Sequence, residues 1–142
     1  MALYITFDQA IEIHRRTIEF SGGGTIGVLQ GGQLESVLFN IQNDDWYPAF
    51  EDKLTHLFFG LCKFHCFSDG NKRLAIVLAT QMLLLNGYFY AAKRFIHDME
   101  EISVRVADDK IDKALLRDII AAYVAGDPDS EELKLRILDA IS

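Results

Sequence analysis

The fold is decided by residues 74–85, which read LAIVLATQMLLL. Only Thr80 and Gln81 interrupt this apolar run, so a helix over it is apolar nearly all round. Such a helix is typical of the centre of a bundle, because a surface helix keeps one polar face. Asn86 and Gly87 then form a stop signal, with glycine just past the helix end. The run is too short to span a bilayer.

Apolar residues at helical spacing predict further helices on both sides of the central one. The predicted segments are residues 7–20, 33–41, 54–64, 95–106 and a helix that follows Asp112. Thr6 and Gln9 form the pattern of a capping box before the first segment, and Asp112 is predicted as the N-cap of the last. Residues 88–90 are the one place where a very short strand, or an extended link, is considered.

Residues 127–142 are predicted as an additional C-terminal helix. Asp127 stands where an N-cap is expected and Pro128 at the first helical position, where its missing N–H costs nothing. No repeat, low-complexity tract or linker divides the sequence, and its 142 residues suffice for about one domain. The sequence therefore predicts a single all-α domain over residues 1–142, with at most a very short β element.

Composition narrows the class of protein. The net charge of −7 argues against a nucleic-acid-binding surface, which needs clustered Lys and Arg, and no secretion signal or membrane segment is visible. Cys62 and Cys66 lie within one helical turn, which does not suit the disulfides of a secreted domain, so the cytoplasm is the expected compartment. Both cysteines are expected to be small buried thiols; a zinc site with His56 and His65 is the less favoured alternative.

Residues 65–73, directly before the central helix, read HCFSDGNKR. Lys72 and Arg73 stand at the helix start, where the positive end of the helix dipole favours an anion. Asp69 offers a carboxylate suited to Mg²⁺, and His65 offers an imidazole, a group that can take a proton near neutral pH. This combination indicates transfer of a phosphoryl or nucleotidyl group. The alternative is a polar turn, because Asp and Gly make turns without a catalytic purpose.

The same stretch resembles the signature of the Fic/Doc superfamily, His-x-Phe-x-(Asp/Glu)-(Gly/Ala)-Asn-(Gly/Lys)-Arg. Every specified position is matched, from His65 and Phe67 to Arg73. The likeness extends over residues 3–124, including the glycine-rich segment before the second helix and the exit of the central helix. Within the superfamily the chain resembles the Doc (death-on-curing) toxins of bacterial toxin–antitoxin pairs, which implies a Fic/Doc-like helical bundle.

This resemblance implies a role for each residue of the signature. His65 would be the general base that takes the proton from a target Ser or Thr hydroxyl, and Asp69 would hold Mg²⁺. The ATP phosphates would be bound by Gly70, Asn71, Lys72 and Arg73. Glycine lets the backbone approach a phosphate closely, and arginine can clamp one with two parallel hydrogen bonds.

Two positions distinguish the reactions known in the superfamily. AMP-transferring Fic enzymes carry Gly where this chain has Lys72, and a second Arg where it has Ile76. Both differences resemble Doc, a kinase that transfers the terminal phosphate. The resemblance thus implies a protein kinase toxin that uses Mg²⁺ and ATP, with elongation factor Tu as its target. AMP transfer to a protein hydroxyl and a catalytically silent binding module are the alternatives.

The resemblance also implies an inhibitory partner. In some Fic proteins an internal helix bears Ser/Thr-x-x-x-Glu-(Gly/Asn), but here Ser130 is followed four residues later by Lys134. We therefore expect inhibition by a separate, Phd-like antitoxin protein, whose helix would lie in an apolar groove.

Three further residues have two interpretations each. Trp46 and Tyr47 lie in a broken segment before the third helix, where Fic-like folds hold a target-docking flap. They are candidates for target docking, against the alternative that they pack in the core. His14 is predicted to be a partly buried packing residue, with a contact to the signature loop as the alternative.

Overall fold

The computed structural model describes residues 1–20, 31–64, 66 and 70–142, with Gly31 by its backbone alone. These residues form eight α-helices and no strand: α1 (Phe7–Phe20), α2 (Gly31–Asn40), α3 (Phe50–Lys63), α4 (Asn71–Leu85), α5 (Phe89–Asp98), α6 (Glu100–Ala107), α7 (Lys113–Val124) and α8 (Glu131–Ile141). The prediction of an all-α fold is confirmed. The segments 21–30 and 67–69, and His65, lie outside the described residues.

Helix α4 is the centre of the bundle, as its sequence predicts. It packs against α1, α3, α5 and α6. Leu74, Leu78 and Met82 have no solvent exposure, and the small Ala75 and Ala79 between them are buried as well. These short side chains let neighbouring helices approach the α4 backbone closely, which fits a helix surrounded on several sides.

The far end of α4 is tied to the start of the chain. The Asn86 side chain accepts a hydrogen bond from the Leu3 backbone N–H (2.8 Å) and donates one to the Leu3 carbonyl (3.0 Å). Its Nδ2 also donates to the Met82 carbonyl (2.8 Å), one of the last carbonyls of α4. One amide side chain thus terminates α4 and holds residues near Leu3 against it.

The start of α1 matches the predicted capping box. The Gln9 N–H donates to Thr6 Oγ1 (3.1 Å), and the Thr6 N–H donates to Gln9 Oε1 (2.9 Å). The helix then buries Ala10, His14 and Ile18 along one stripe. This stripe brings His14 and Ile18 against the start of α4, which is where the signature residues are.

The segment predicted as one helix over residues 95–106 is two helices. Met99 lies between α5 and α6 with φ −92° and ψ 2°, and it remains fully buried. The break lets α5 contact α4 and α7 while α6 contacts α3 and α4. Residues 88–90, where a very short strand was considered, do not form one, because α5 begins at Phe89.

The prediction that Asp127 and Pro128 begin the last helix is wrong. Helix α8 begins at Glu131, and Ser130 is its N-cap, with its side chain accepting from the Leu133 N–H. The Asp127 N–H instead donates to the Ala122 carbonyl (2.9 Å), which completes the C-terminal turn of α7 around Gly126. Asp127 thus belongs to the end of α7, and Ser130 caps α8 three positions later.

In the described part of the chain, no helix is long and apolar enough to cross a membrane.

Candidate functional site

Only part of the predicted site can be built from coordinates. His65, Phe67 and Asp69 lie outside the described residues, so the base and the metal ligand stay predictions from sequence. The structure does describe residues 70–73, which we call the basic turn, and everything that packs around it. The basic turn joins the signature to the central helix, and its geometry decides what that end of α4 can bind.

Gly70 is the N-cap of α4 and has a left-handed backbone, with φ 78° and ψ 14°. Its carbonyl accepts from the Leu74 N–H (2.9 Å), the first turn of the helix. A Cβ added to Gly70 would lie 2.7 Å from Ile18 Cδ1, 3.5 Å from His14 Nε2 and 3.7 Å from Arg73 Nη2. Glycine is thus required here twice, by the positive φ and by the close approach of α1.

The His14 imidazole faces this turn. Its side chain is buried, at 1% exposure, and its Nε2 lies beside the Gly70 backbone. The alternative given for this residue, a contact with the signature loop, therefore holds at Gly70. Ile18, four residues further along α1, lies against the same glycine, with its Cδ1 2.7 Å from the position of an added Cβ. The two side chains support the start of α4 from beneath.

The cations of the basic turn open onto a cavity of about 690 Å³ between α1, α4, α5 and α6. We call it the main cavity. Lys72 is exposed and Arg73 half-buried at its edge, and Arg16 of α1 lines it as well. Glu100 is the one carboxylate among its described lining residues. The electrostatics of this end of α4 thus favour an anion.

The wall of the main cavity beside these cations is apolar. Aliphatic side chains from all four helices form it: Ile13, Ile76, Val77, Ile96 and Val104. Phe20, at 93% exposure, and Ile96, at 54%, extend the apolar surface outward at the rim. The cavity therefore combines a basic end, suited to phosphate, with a hydrocarbon flank suited to an apolar surface.

Comparison with known proteins identifies the family. A sequence profile of the Fic/DOC family matches residues 4–83, which span α1 to most of α4 and include the basic turn. The chain belongs to the Fic/DOC family. It is also similar to a protein named Toxin Doc from Mycolicibacterium smegmatis, with 33% identity over 108 residues, covering 73% of this chain and 80% of that protein. No solved structure gave a significant match.

Arg16 and Ile18 are site residues that sequence reasoning missed in this Fic/DOC protein. Arg16 lines the main cavity with Lys72 and Arg73, although it lies more than fifty positions earlier in the chain. Its guanidinium also forms an exposed ion pair with Glu12 of the same helix (Nε–Oε1 3.1 Å). The only available signal was its place two residues after His14 on α1, and nothing in the sequence pairs α1 with the start of α4.

Cys62, just before the Fic/DOC signature, and Cys66, within it, are buried thiols, as predicted. Burial raises the pKa of Cys62 to about 12 and that of Cys66 to about 11. Neither is a thiolate near neutral pH, so neither is a ready nucleophile or soft metal ligand there. Both side chains belong to the hydrophobic core.

Trp46 and Tyr47, the candidate docking residues, differ in their surroundings. Trp46 is 65% exposed. The Tyr47 ring instead stacks on His56 of α3, with ring centroids 4.6 Å apart and 23° between planes. Packing thus explains Tyr47, at least in part, whereas Trp46 offers an aromatic surface to solvent. A docking role for either residue stays a prediction.

Proposed function

We propose that this Fic/DOC protein is a Doc-type toxin that phosphorylates a hydroxyl of a protein in the translation machinery, using ATP. Elongation factor Tu is the target that the family resemblance suggests, and such a target requires the cytoplasm. The observation that carries the proposal is the basic turn: Lys72 and Arg73 at the N-terminal end of α4, beside a cavity large enough for a nucleotide.

The basic turn suits a phosphate chain through the chemistry of its residues. Gly70, as the N-cap of α4, places Lys72 and Arg73 in the first turn of that helix, where backbone N–H groups and the helix dipole favour an anion. Arg73, held half-buried beside Gly70, presents a planar, permanently charged donor group. Lys72 supplies a mobile point charge from the exposed side. Since phosphoryl transfer asks mainly for positioning and charge neutralisation, these features are the ones it needs.

In the proposed reaction the target hydroxyl oxygen bonds to the γ-phosphorus while the bond from that phosphorus to the bridging oxygen of ADP breaks. His65 takes the hydroxyl proton. Mg²⁺, when bound through the Asp69 carboxylate and phosphate oxygens, neutralises charge that develops between the β and γ phosphates. Arg73 and Lys72 hold the phosphate chain in line with the hydroxyl, and ADP leaves with the bridging oxygen.

Two features favour transfer of phosphate over transfer of AMP. Lys72 fills space that a glycine would leave for a further phosphate group. Ile76, which stands where AMP-transferring relatives carry a second arginine, contributes hydrocarbon to the wall of the main cavity. Ile76 thus places hydrocarbon where those relatives have a second arginine on the same helix, and the third cation of the cavity comes instead from Arg16 of α1.

Labelled ATP tests the proposal. The protein is incubated with elongation factor Tu and ATP labelled at either the α or the γ phosphate, and label is followed into protein. We expect label from γ only, and none after EDTA removes Mg²⁺. Label from α would mean AMP transfer, and label from neither position would mean a silent binding module.

Lys72→Gly is expected to lower transfer of the γ label by about 10²-fold, the usual cost of removing one electrostatic donor. The matched control is Lys93→Gly, which removes an exposed lysine from α5 and should keep the wild-type rate. If Lys72→Gly transfers γ label at the wild-type rate, Lys72 does not select the reaction.

We further propose that an antitoxin helix occupies the main cavity. Its apolar flank would receive the hydrophobic face of the helix, and its basic end would receive acidic side chains. A helix in this position would cover Lys72 and Arg73 and exclude ATP. This proposal explains why a large apolar surface, with Phe20 and Ile96 at its rim, stays exposed in the isolated chain.

Ile96→Asp is expected to weaken binding of the antitoxin at least tenfold, about 1.4 kcal/mol or more. The control is Leu135→Asp, which adds the same charge at an exposed leucine of α8. Isothermal titration with the antitoxin measures both variants. Equal binding by Ile96→Asp and wild type would place the antitoxin on another surface.

A further inference from the structure

A second cluster of titratable groups lies between α3, α7 and the segment that carries Trp46. Lys113 is the first residue of α7, and its Nζ lies 2.9 Å from Nδ1 of His56 on α3. The same Nζ lies 5.5 Å from the ring centroid of Tyr47 and 5.6 Å from that of Phe59. The amine is thus enclosed by one imidazole and two aromatic rings.

The carboxylates near Lys113 are engaged elsewhere. Asp52 pairs with Arg117 (Nε–Oδ1 3.0 Å), and Asp118 pairs with Arg136 (Nη2–Oδ2 2.8 Å). Within the described ranges of the chain, no carboxylate lies at ion-pairing distance from the Lys113 amine. Its polar partner in the structure is the imidazole of His56, which is an unusual partner for a lysine.

Burial sets the protonation of this pair. Desolvation lowers the pKa of Lys113 below its ordinary value. Desolvation first, and then the charge of Lys113, lower the pKa of His56 to about 4. At neutral pH the imidazole is therefore uncharged, and its Nδ1 can accept a hydrogen bond from the amine. The other charged groups at this surface, Asp52, Arg117 and Asp118, are held in the ion pairs described above.

The amine also has access to a cavity. Lys113 lines a space of about 470 Å³ together with Trp46, Tyr47 and Thr55. We call this the aromatic cavity. It is separate from the main cavity, because the lining residues of the two do not overlap. It has room for a small planar acyl group next to Nζ.

We propose that Lys113 is a modification site that is acylated by small acyl phosphates. The lone pair of the neutral amine attacks the carbonyl carbon, and a C–N amide bond forms. The bond from that carbon to the phosphate oxygen breaks, and inorganic phosphate leaves with the electron pair. The proton that the amine loses passes to solvent water, while His56 Nδ1 orients the amine through its hydrogen bond. No oxidant or reductant is required.

Acylation would change the aromatic cavity. An amide carries no charge, so the cation that faces the Tyr47 and Phe59 rings would be lost. The acyl group would occupy the space beside Trp46. Since this chain contains a single tryptophan, its emission reports directly on the reaction. The same segment is the predicted docking surface, but the modification itself does not depend on the proposed kinase activity.

Acetyl phosphate and peptide mass spectrometry test the proposal on the full chain. At neutral pH we expect Lys113 to be acetylated faster than the exposed Lys110, because its lowered pKa leaves more of the amine neutral. The rate at Lys113 should also level off at a pH below the ordinary pKa of a lysine. Lys110 lies three positions away and serves as a control within the same sample. Equal rates at the two lysines would overturn the proposal.

His56→Phe separates an orienting hydrogen-bond acceptor from a merely buried neighbour. Phenylalanine keeps a ring to stack on Tyr47 but cannot accept the hydrogen bond of the Lys113 amine. We expect the rate at Lys113 to fall at least about tenfold, because the amine loses its orientation, while the rate at Lys110 is unchanged. An unchanged Lys113 rate would refute the role of His56.

Lys113→Arg gives a second readout that does not depend on how His56→Phe folds. Acetyl phosphate should shift the Trp46 emission of the wild type and leave that of Lys113→Arg unchanged. An equal shift in both proteins would mean that acylation occurs elsewhere, which contradicts the assignment.

Discussion

His65→Ala is expected to lower phosphate transfer to the target at least 10²-fold and to leave the temperature of thermal unfolding near that of the wild type. A positioned general base contributes about 10²–10⁴ to the rate, and alanine cannot take the hydroxyl proton. Transfer of γ label measures the rate, and circular dichroism measures the unfolding. A variant that still labels its target at the wild-type rate would refute the assignment of His65 as base.

His97→Ala is the matched control for this experiment. His97 also lines the main cavity, but its side chain is 88% exposed. It lies outside the signature, so we expect its removal to leave transfer unchanged. If both histidine variants lost activity equally, the effect would come from the cavity surface rather than from a base.

Gly70→Ala is expected to lower both stability and transfer. A non-glycine residue in a left-handed conformation costs about 1–3 kcal/mol, and here the new Cβ would also meet Ile18 Cδ1 at 2.7 Å. Relief of this contact requires either the terminal methyl of Ile18 or the basic turn to shift. A displacement of about 1 Å at a positioning group can cost about 10²-fold in rate.

Two further variants separate strain from steric contact. Gly126 has φ 80° and no atom within 4 Å of an added Cβ, so Gly126→Ala measures the backbone strain alone. Ile18→Val removes Cδ1, so in the double variant with Gly70→Ala the contact disappears while the strain remains. We expect denaturant unfolding to show that the two substitutions cost less together than the sum of their separate costs. Additive costs would mean that Ile18 does not press on the turn.

Local signals account for the helices that the sequence predicts well. Helix α1 has the predicted bounds because both hydrogen bonds of its capping box join residues three positions apart. The N-cap of α7 is equally local, with the Asp112 side chain accepting from the Leu115 N–H (2.8 Å). The central helix was evident because a helix that is apolar nearly all round is stable only when it is buried. In each case the residues that decide the structure are adjacent in the chain.

The errors arise where neighbouring elements compete for the same residues. Asp127 and Pro128 have the sequence of a helix start, but the end of α7 uses the Asp127 backbone first. The break between α5 and α6 at Met99 is not marked by a glycine or proline in the sequence. It arises because α5 and α6 pack against different helices. Helix propensity alone cannot predict these helix boundaries, because tertiary contacts decide them.

The candidate site also has one part that the sequence predicts and another part that only the folded structure brings together. The signature predicts the chemistry of Lys72 and Arg73 because its residues are contiguous. The contribution of α1 is different, since Arg16 and Ile18 reach the basic turn only after the bundle has folded. Lys113 and His56 are 57 positions apart, and neither carries a motif. Their pairing could be found only from the structure.

The two hydrogen bonds between the Asn86 side chain and the Leu3 backbone have a practical consequence for experiments on this protein. Asn86 follows the last residue of α4, and the basic turn lies at the first, so about 22 Å of helix separates the two. A fusion partner joined ahead of Met1 would therefore emerge at the opposite end of the central helix. Immobilisation through such a tag should leave the nucleotide side open to target, antitoxin and ATP alike.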